Sequence, residues 1–228
     1  MGPDCDHPHP GAAGFARRTP TAAGALVMIV LGIALAGCFT GARPGFEDSA
    51  GRDLTGRREI DAVLVRLDAA PLARFTAEYD ILTRLGDRQS TAVVVQADNS
   101  RRSITINDVR YLFDEATVAT CRLDEGTCVA QITPEATYGE LFVDHDFYAA
   151  TPATRLRNDA RSRIGEPVAS EIVQAGQTAL CVDIPVSGGT TRYCALQTGV
   201  LAVYEGNDLE ITLTRFLPEP DDALFGTG

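Results

Sequence analysis

Four cysteines in the C-terminal two thirds of the chain have the spacing for covalent chemistry. They are Cys121, Cys128, Cys181 and Cys194. Cys121 and Cys128 flank the turn-forming run DEG, and Cys181 and Cys194 flank SGG. Residues on either side of a hairpin turn come opposite one another, close enough for a disulfide. Of the three possible connectivities, hairpin geometry favours Cys121–Cys128 and Cys181–Cys194. The C-x₂-C spacing of zinc and thioredoxin-like sites is absent.

His145 is a second candidate for chemistry, because it lies between Asp144 and Asp146 in the run VDHDFY. A histidine in this setting could act as a general base or a metal ligand. A hydrolase would also need a recognisable nucleophile or metal motif, and the chain has no G-x-S-x-G or H-E-x-x-H. A surface histidine in a turn is the simpler interpretation. We therefore expect no enzyme activity, no catalytic residue, no metal and no cofactor.

The overall charge excludes several classes of partner. The 228 residues carry a formal net charge of −11, and all 20 basic residues are arginine. Phosphate backbones need a cationic protein surface, so we expect no nucleic-acid partner. Schiff-base and P-loop chemistry both require a lysine amine and are excluded.

Cys38 ends an apolar stretch that indicates export. Arg17 and Arg18 precede an uncharged run from Ala22 to Ala36, which is shorter than the ~20 residues that cross a bilayer core. Positive charge, a short apolar region and small residues in this order are typical of a secretory signal. The run Leu-Ala-Gly-Cys at its end resembles the bacterial lipobox. That resemblance implies cleavage before Cys38 and acylation of its thiol, which would anchor the chain to the outer face of the cell membrane.

Two helical patterns alternate with two runs of strands along the chain. Ile60, Val63, Leu64 and Leu67 lie at helical spacing and predict a helix that Pro71 ends. Residues 74–130 alternate apolar and polar side chains between turns, which predicts an antiparallel meander. A second helix is predicted from Thr151 as N-cap to Gly165, with Leu156, Ala160 and Ile164 buried. Strands then resume from 167 to about 217.

These patterns divide the chain into four parts. Residues 1–37 are the predicted signal peptide, 38–57 a flexible tether, 58–217 the folded domain and 218–228 an acidic C-terminal tail. The predicted fold class is mainly β with a few helices (α+β), built on an antiparallel meander.

The order of these elements resembles a family of exported lipid carriers. A lipobox, a tether, a helix, a strand meander, an interrupting helical segment and a closing meander look like the Lol-type lipoprotein carriers. Pieces such as AGQTALCVDIP, RYCALQTGVL and DLEITLTRF are similar to the C-terminal meander of the mycobacterial lipid-binding lipoproteins. The resemblance implies that the antiparallel meander is curved into an incomplete β-barrel packed on helices, a half-barrel that holds acyl chains. It transfers no individual binding residue.

The leading functional hypothesis is a lipid-anchored exported binding protein that holds or transfers a lipid or other hydrophobic ligand. An antiparallel sheet of about ten strands with two or three helices would leave apolar surface on its concave face. The predicted ligand-binding residues on that face are Phe75, Tyr79, Ile81, Val93, Val95, Ile104 and Ile106. The alternative is a cell-envelope interaction or sensor lipoprotein of the same fold without cargo.

Overall fold

The computed structural model describes residues 53–115 and 117–225. The predicted signal peptide, Cys38 and the tether up to residue 52 lie outside them. The helices are α1 (Arg58–Leu67), α2 (Glu135–Leu141) and α3 (Ala150–Ser162), with 3₁₀ turns at Ala70–Leu72 and Asp222–Phe225. The strands are β1 (Phe75–Thr83), β2 (Arg88–Gln96), β3 (Arg102–Ile106), β4 (Val109–Asp114), β5 (Thr117–Arg122), β6 (Thr127–Val129), β7 (Val168–Gln174), β8 (Gln177–Val186), β9 (Gly189–Leu196), β10 (Leu201–Glu205) and β11 (Leu209–Leu217).

The strands form one antiparallel sheet of 11 strands, in the order β6-β5-β4-β3-β2-β1-β11-β10-β9-β8-β7. Two meanders, β1 to β6 and β7 to β11, are joined where β1 pairs with β11 from Thr76↔Leu217 to Thr83↔Leu209. The sheet is open, since β6 and β7 stand at its two ends. The fold class is therefore confirmed as a mainly β, incomplete barrel with helices packed on it.

Helix α1 follows the predicted pattern. Its four apolar residues at helical spacing are at most 1% exposed. They lie on one face of the helix, and their burial against the sheet stabilises an element that is too short to be helical alone. The 3₁₀ turn with Pro71 follows directly.

Helix α3 differs from its prediction at both ends. It begins at Ala150 after an Ala149 N-cap, so Thr151 lies inside the first turn, where its hydroxyl donates to Asp144. The helix ends at Ser162, and Ile164 beyond it is 73% exposed. The buried side is formed by Pro152, Ala153, Leu156 and Ala160. The prediction that Ile164 is buried was wrong because the helix ends before it.

Helix α2 was not predicted. It has seven residues, of which only Thr137 and Leu141 are buried, so it carries no periodic apolar stripe. Phe142 ends it in the left-handed conformation, with φ 56°. None of the helices in the described residues is long and apolar enough to cross a membrane.

The described residues of the acidic tail lie against the sheet. The Thr76 hydroxyl donates to the Glu219 carbonyl at 3.1 Å and accepts from the Asp221 amide at 2.8 Å. Arg101 lies 3.5 Å from the Asp222 carboxylate and 4.3 Å from the centre of the Phe225 ring. The chain after β11 therefore packs on the β1–β3 region.

Both disulfides join neighbouring antiparallel strands. Cys121 on β5 is bonded to Cys128 on β6, and Cys181 on β8 is bonded to Cys194 on β9. In each case the two cysteines are direct cross-strand partners. Because disulfides persist in oxidising compartments, the two disulfides indicate an extracytoplasmic location.

Candidate functional site

Most of the predicted ligand-binding residues lie on the sheet face that packs against the rest of the domain. These are Phe75, Tyr79, Ile81, Ile104 and Ile106, each at most 2% exposed. They belong to β1 and β3, and all are part of the hydrophobic core. The alternation of β1 directs Phe75, Tyr79 and Ile81 to one face, as predicted.

Val93 and Val95 were assigned to the wrong face. In β2 it is Val94 that pairs with Ala77 on β1 and with Ile104 on β3, both core residues. Val93 is opposite Glu78, and Val95 is opposite Thr76. A strand changes face at every residue, and the run of three valines in the sequence gives no alternation from which to choose the register.

The inner face is covered by an irregular stretch between α2 and α3, residues 142–149, here called the covering segment. The Phe147 ring lies 5.1 Å from that of Tyr79, and the Tyr148 ring lies 5.8 Å from that of Phe75, both edge-to-face. Phe147 and Tyr148 are at most 1% exposed. Aromatic rings of the chain itself thus occupy the surface predicted for a ligand.

The space left beside these rings is small. A cavity lined by Phe142, Val143, Phe147, Leu209 and Ile211, among others, measures about 10 Å³. That is about the volume one water molecule needs. An acyl chain would enter only if the covering segment moved.

A polar network fixes one end of the covering segment to the sheet. Arg102 Nη1 donates to Asp146 Oδ1 at 2.8 Å, and the Tyr148 hydroxyl donates to Gln96 Oε1 at 2.8 Å. Gln96 Nε2 donates in turn to the carbonyls of Ala70 and Ala73. Burial raises the pKa of Tyr148 above its ordinary value. The network therefore joins β2, β3 and the turn after α1 to the covering segment. Arg102 Nε is buried without a hydrogen-bond partner among the described residues.

His145 lies next to this network, beside two aromatic rings of β4. Its ring is 5.4 Å from the rings of both Tyr111 and Phe113, and its side chain is 17% exposed. Nε2 lies 3.5 Å from Asp146 Oδ2, and Nδ1 is buried with no hydrogen-bond partner among the described residues. His145 lies in a turn, as expected, but it is only partly exposed because two aromatic rings of β4 pack against the imidazole.

A second polar cluster joins α3 to the other half of the sheet. The Tyr193 hydroxyl donates to Asp159 Oδ2 at 2.7 Å. Arg155 Nη1 donates to the Tyr204 hydroxyl at 3.0 Å and to Asp208 Oδ2 at 2.8 Å. Burial is the main cause that raises the pKa of Tyr193 far above its ordinary value. These contacts fix the position of α3 over β9 and β10.

Sequence reasoning missed the residues that fill the inner face. Phe147 and Tyr148 were given no predicted role, although the run FYAA after Asp146 is apolar and could have indicated burial. Arg102 and Gln96 carry no sequence signal, since their roles depend on contacts between distant parts of the chain.

Outside the inner face, the sheet carries a more polar depression. A cavity of about 420 Å³ is lined by Asp80, Leu82, Gln89, Thr91, Asn107, Glu210 and Thr212, together with Ile81 and Ser90. Within the described residues, no group of three or more His, Cys, Asp or Glu side chains could hold a metal ion.

Comparisons with known proteins give only distant structural likenesses. No protein-family model and no curated protein matches the chain. A crystal structure of MucB shares 11% identity with a TM-score of 0.47 over 76% of this chain, and the Pseudomonas aeruginosa MucA/MucB complex shares 11% with a TM-score of 0.44 over 75%. An uncharacterised conserved protein from Thermus thermophilus shares 9%, with a TM-score of 0.40 over 72% of this chain and 90% of that one. The chain spans 64% and 61% of the two MucB matches, less than two thirds of their length. At these scores and identities, no function is transferred from them.

Proposed function

We propose that this chain is a lipid-anchored, extracytoplasmic interaction protein without enzyme activity, in which a filled half-barrel serves as a rigid scaffold. The observation that carries the proposal is the occupation of the inner face by Phe147 and Tyr148. A carrier would offer that surface to its cargo. Here the chain covers it with its own side chains, and the cavity beside Phe147 measures about 10 Å³.

The anchored part of the proposal rests on the lipobox-like run that ends at Cys38. The first described residues of the predicted tether pack on the domain. Asp53, within the predicted tether, accepts from Arg161 at 2.9 Å. Thr55 donates to Asp61 in α1 through its amide and its hydroxyl. Residues 53–55 are therefore held on the α1 and α3 side of the domain.

Strand β7 is the surface we assign to a protein partner. It stands at one end of the sheet, and five of its seven residues are exposed, including Val168 and Val173. Its only charged residue is Glu171. An edge strand with unpaired backbone groups and little charge pairs readily with another strand. The partner that fits is an extended peptide segment of an envelope protein, added as a further strand.

Proline substitutions in β7 test this assignment. Backbone N–H groups alternate in direction along a strand, so one of Ser170→Pro and Glu171→Pro removes an outward N–H and the other disrupts pairing with β8. We expect a photo-cross-linker at Val173 to capture a protein partner in cells. Capture should be lost in the proline variant that remains stably folded and kept in Glu171→Gln. Equal capture by a cross-linker at Val65 on α1, or capture that survives both prolines, would refute the role of β7.

Carriage of a hydrophobic ligand is the second candidate. It is favoured by one observation: the covering segment has no regular secondary structure, so its displacement would uncover an apolar face without unfolding a helix. Native mass spectrometry of gently extracted protein distinguishes the two functions. Co-purified lipid would favour carriage, and a lipid-free domain would favour the interaction protein.

Phe147→Ala gives a second test of that comparison. Removal of a buried phenylalanine ring leaves a cavity and costs about 3–5 kcal/mol of stability. If the inner face is filled, the wild-type protein should not bind a fluorescent fatty acid, and the variant should gain binding. The Leu72→Ala variant is the control, since Leu72 is 85% exposed and its loss creates no cavity. Tight binding by the wild type would contradict the proposed function.

A further inference from the structure

The two disulfides lie in different surroundings. Cys181 and Cys194 are both fully buried, between strands that lie inside the sheet order. Cys121 is also buried, but its partner Cys128 is exposed. Cys128 belongs to β6, a strand of three exposed residues at the end of the sheet. The Cys121–Cys128 disulfide therefore includes an exposed residue at the end of the sheet, whereas both residues of the other disulfide are enclosed.

Thiol–disulfide exchange requires an incoming thiolate to reach a disulfide sulfur, and exposed disulfides are the labile ones. We propose that Cys121–Cys128 is a thiol–disulfide exchange site for an extracytoplasmic dithiol, and that Cys181–Cys194 is the structural disulfide. This inference is independent of the proposed function.

The reaction is a two-electron exchange. A thiolate of the dithiol attacks Cys128 Sγ, the Cys121–Cys128 bond breaks, and Cys121 leaves as a thiolate that takes up a proton. The second thiol of the dithiol, as a thiolate, then attacks the first sulfur of the dithiol, which is bonded to Cys128 in the mixed disulfide. This releases Cys128 as a thiolate, which takes up a proton. The dithiol is oxidised to a disulfide, and the cystine of this chain is reduced to two thiols.

Reduction would loosen the chain just before α2. Strand β6 is paired only with β5, through three residue pairs, of which Cys121↔Cys128 is the central one. Beyond β6, the Thr120 hydroxyl donates to the Gln131 carbonyl at 2.8 Å and accepts from the Thr133 amide at 2.9 Å. These hydrogen bonds would remain after reduction. We therefore expect local opening of residues 123–130, since a short edge pairing without its covalent link is weak.

Stepwise reduction of the full-length protein tests the proposal. The folded protein is incubated with increasing dithiothreitol, trapped with iodoacetamide and analysed by peptide mass spectrometry. Alkylation of Cys121 and Cys128 is expected at a dithiothreitol concentration at least about tenfold lower than alkylation of Cys181 and Cys194. Simultaneous reduction of both pairs, or earlier reduction of Cys181–Cys194, would overturn the proposal.

Hydrogen exchange on the same samples tests the structural consequence. Amides of residues 123–130 should exchange faster after selective reduction, with β8 and β9 unchanged. The variant with both Cys121→Ser and Cys128→Ser should reproduce this local change without reductant. The matched control is the variant with both Cys181→Ser and Cys194→Ser. Its amides should lose protection from exchange throughout the domain, because that disulfide is inside the core. No change in the first variant would show that the disulfide does not hold β6 in place.

Discussion

At the scale of single residues, close packing decides which positions tolerate change. Gly199, in the turn between β9 and β10, has φ +93°, a conformation that disfavours residues with a Cβ. A Cβ there would overlap the Arg66 carbonyl oxygen and lie 2.6 Å from the Ala70 nitrogen. The end of α1 therefore packs directly on the backbone of this turn, and only glycine permits that approach.

Gly199→Ala should consequently destabilise the domain by at least about 2 kcal/mol, from backbone strain and from displacement of α1. Gly139→Ala in α2 is the matched control, because nothing lies within 4 Å of its added methyl group. That substitution should stabilise by about 0.5–1 kcal/mol through helix propensity. Urea unfolding of both variants measures the difference, and equal midpoints would refute the packing argument.

At the scale of elements, ion pairs of different burial connect the helices. Arg157 on α3 holds both carboxylate oxygens of Asp68, just after α1, at 2.8 and 2.7 Å, and both side chains are mostly buried. Arg161, one turn further on, pairs with Asp53 at 2.9 Å, but both side chains are about two-thirds exposed or more. Exposed ion pairs contribute little, whereas partly desolvated pairs with charge-assisted hydrogen bonds contribute more.

We expect Arg157→Met to cost about 1–2 kcal/mol, since it leaves Asp68 without its partner in a partly buried position. Arg161→Met should change stability by less than about 0.5 kcal/mol. Thermal unfolding at low and at high salt separates the contributions of the two ion pairs, because salt screens the attraction within the exposed pair. Equal losses would show that burial does not govern these interactions.

Some elements of the fold could be predicted from sequence patterns, and others could not. Periodic apolar residues predicted α1, the two meanders and the hairpin disulfides. Helix α2 lacks such a stripe, and the covering segment has no period at all, although it supplies two of the largest buried side chains. Irregular chain is placed by contacts with distant residues, such as Phe75 and Tyr79, and these contacts leave no local pattern.

At the scale of the whole molecule, the absence of lysine simplifies the alkaline titration. With the described cysteines paired and all basic residues arginine, tyrosine is the side chain that ionises near pH 10. Burial raises the pKa of Tyr79, Tyr148 and Tyr193 in the folded state. Above pH about 10 the unfolded chain loses these protons and the folded chain keeps them.

Stability should therefore be intact below pH about 10 and fall above it, by up to about 1.4 kcal/mol per pH unit for each buried tyrosine. Urea unfolding at increasing pH measures the slope. Tyr79→Phe should be less stable at neutral pH, because the hydrogen bond to the Leu201 carbonyl is lost, yet its stability should fall less steeply above pH about 10. If the slope of stability against pH were the same in Tyr79→Phe, buried Tyr79 would not contribute to the alkaline loss of stability.

Local periodicity and turn chemistry were enough to predict a large part of this molecule. They gave the amphipathic α1, the alternating strands of an antiparallel meander and the hairpin pairing of the cysteines. The incomplete barrel was what the resemblance to the lipoprotein carriers implied. The face of β2 that points inward became known only from the folded chain, because Val93, Val94 and Val95 are equally apolar. The same holds for the filling of the inner face by Phe147 and Tyr148 and for the packing of the chain after β11 on the sheet. Those outcomes depend on close packing between residues far apart in the chain, which the order of residue types does not encode locally.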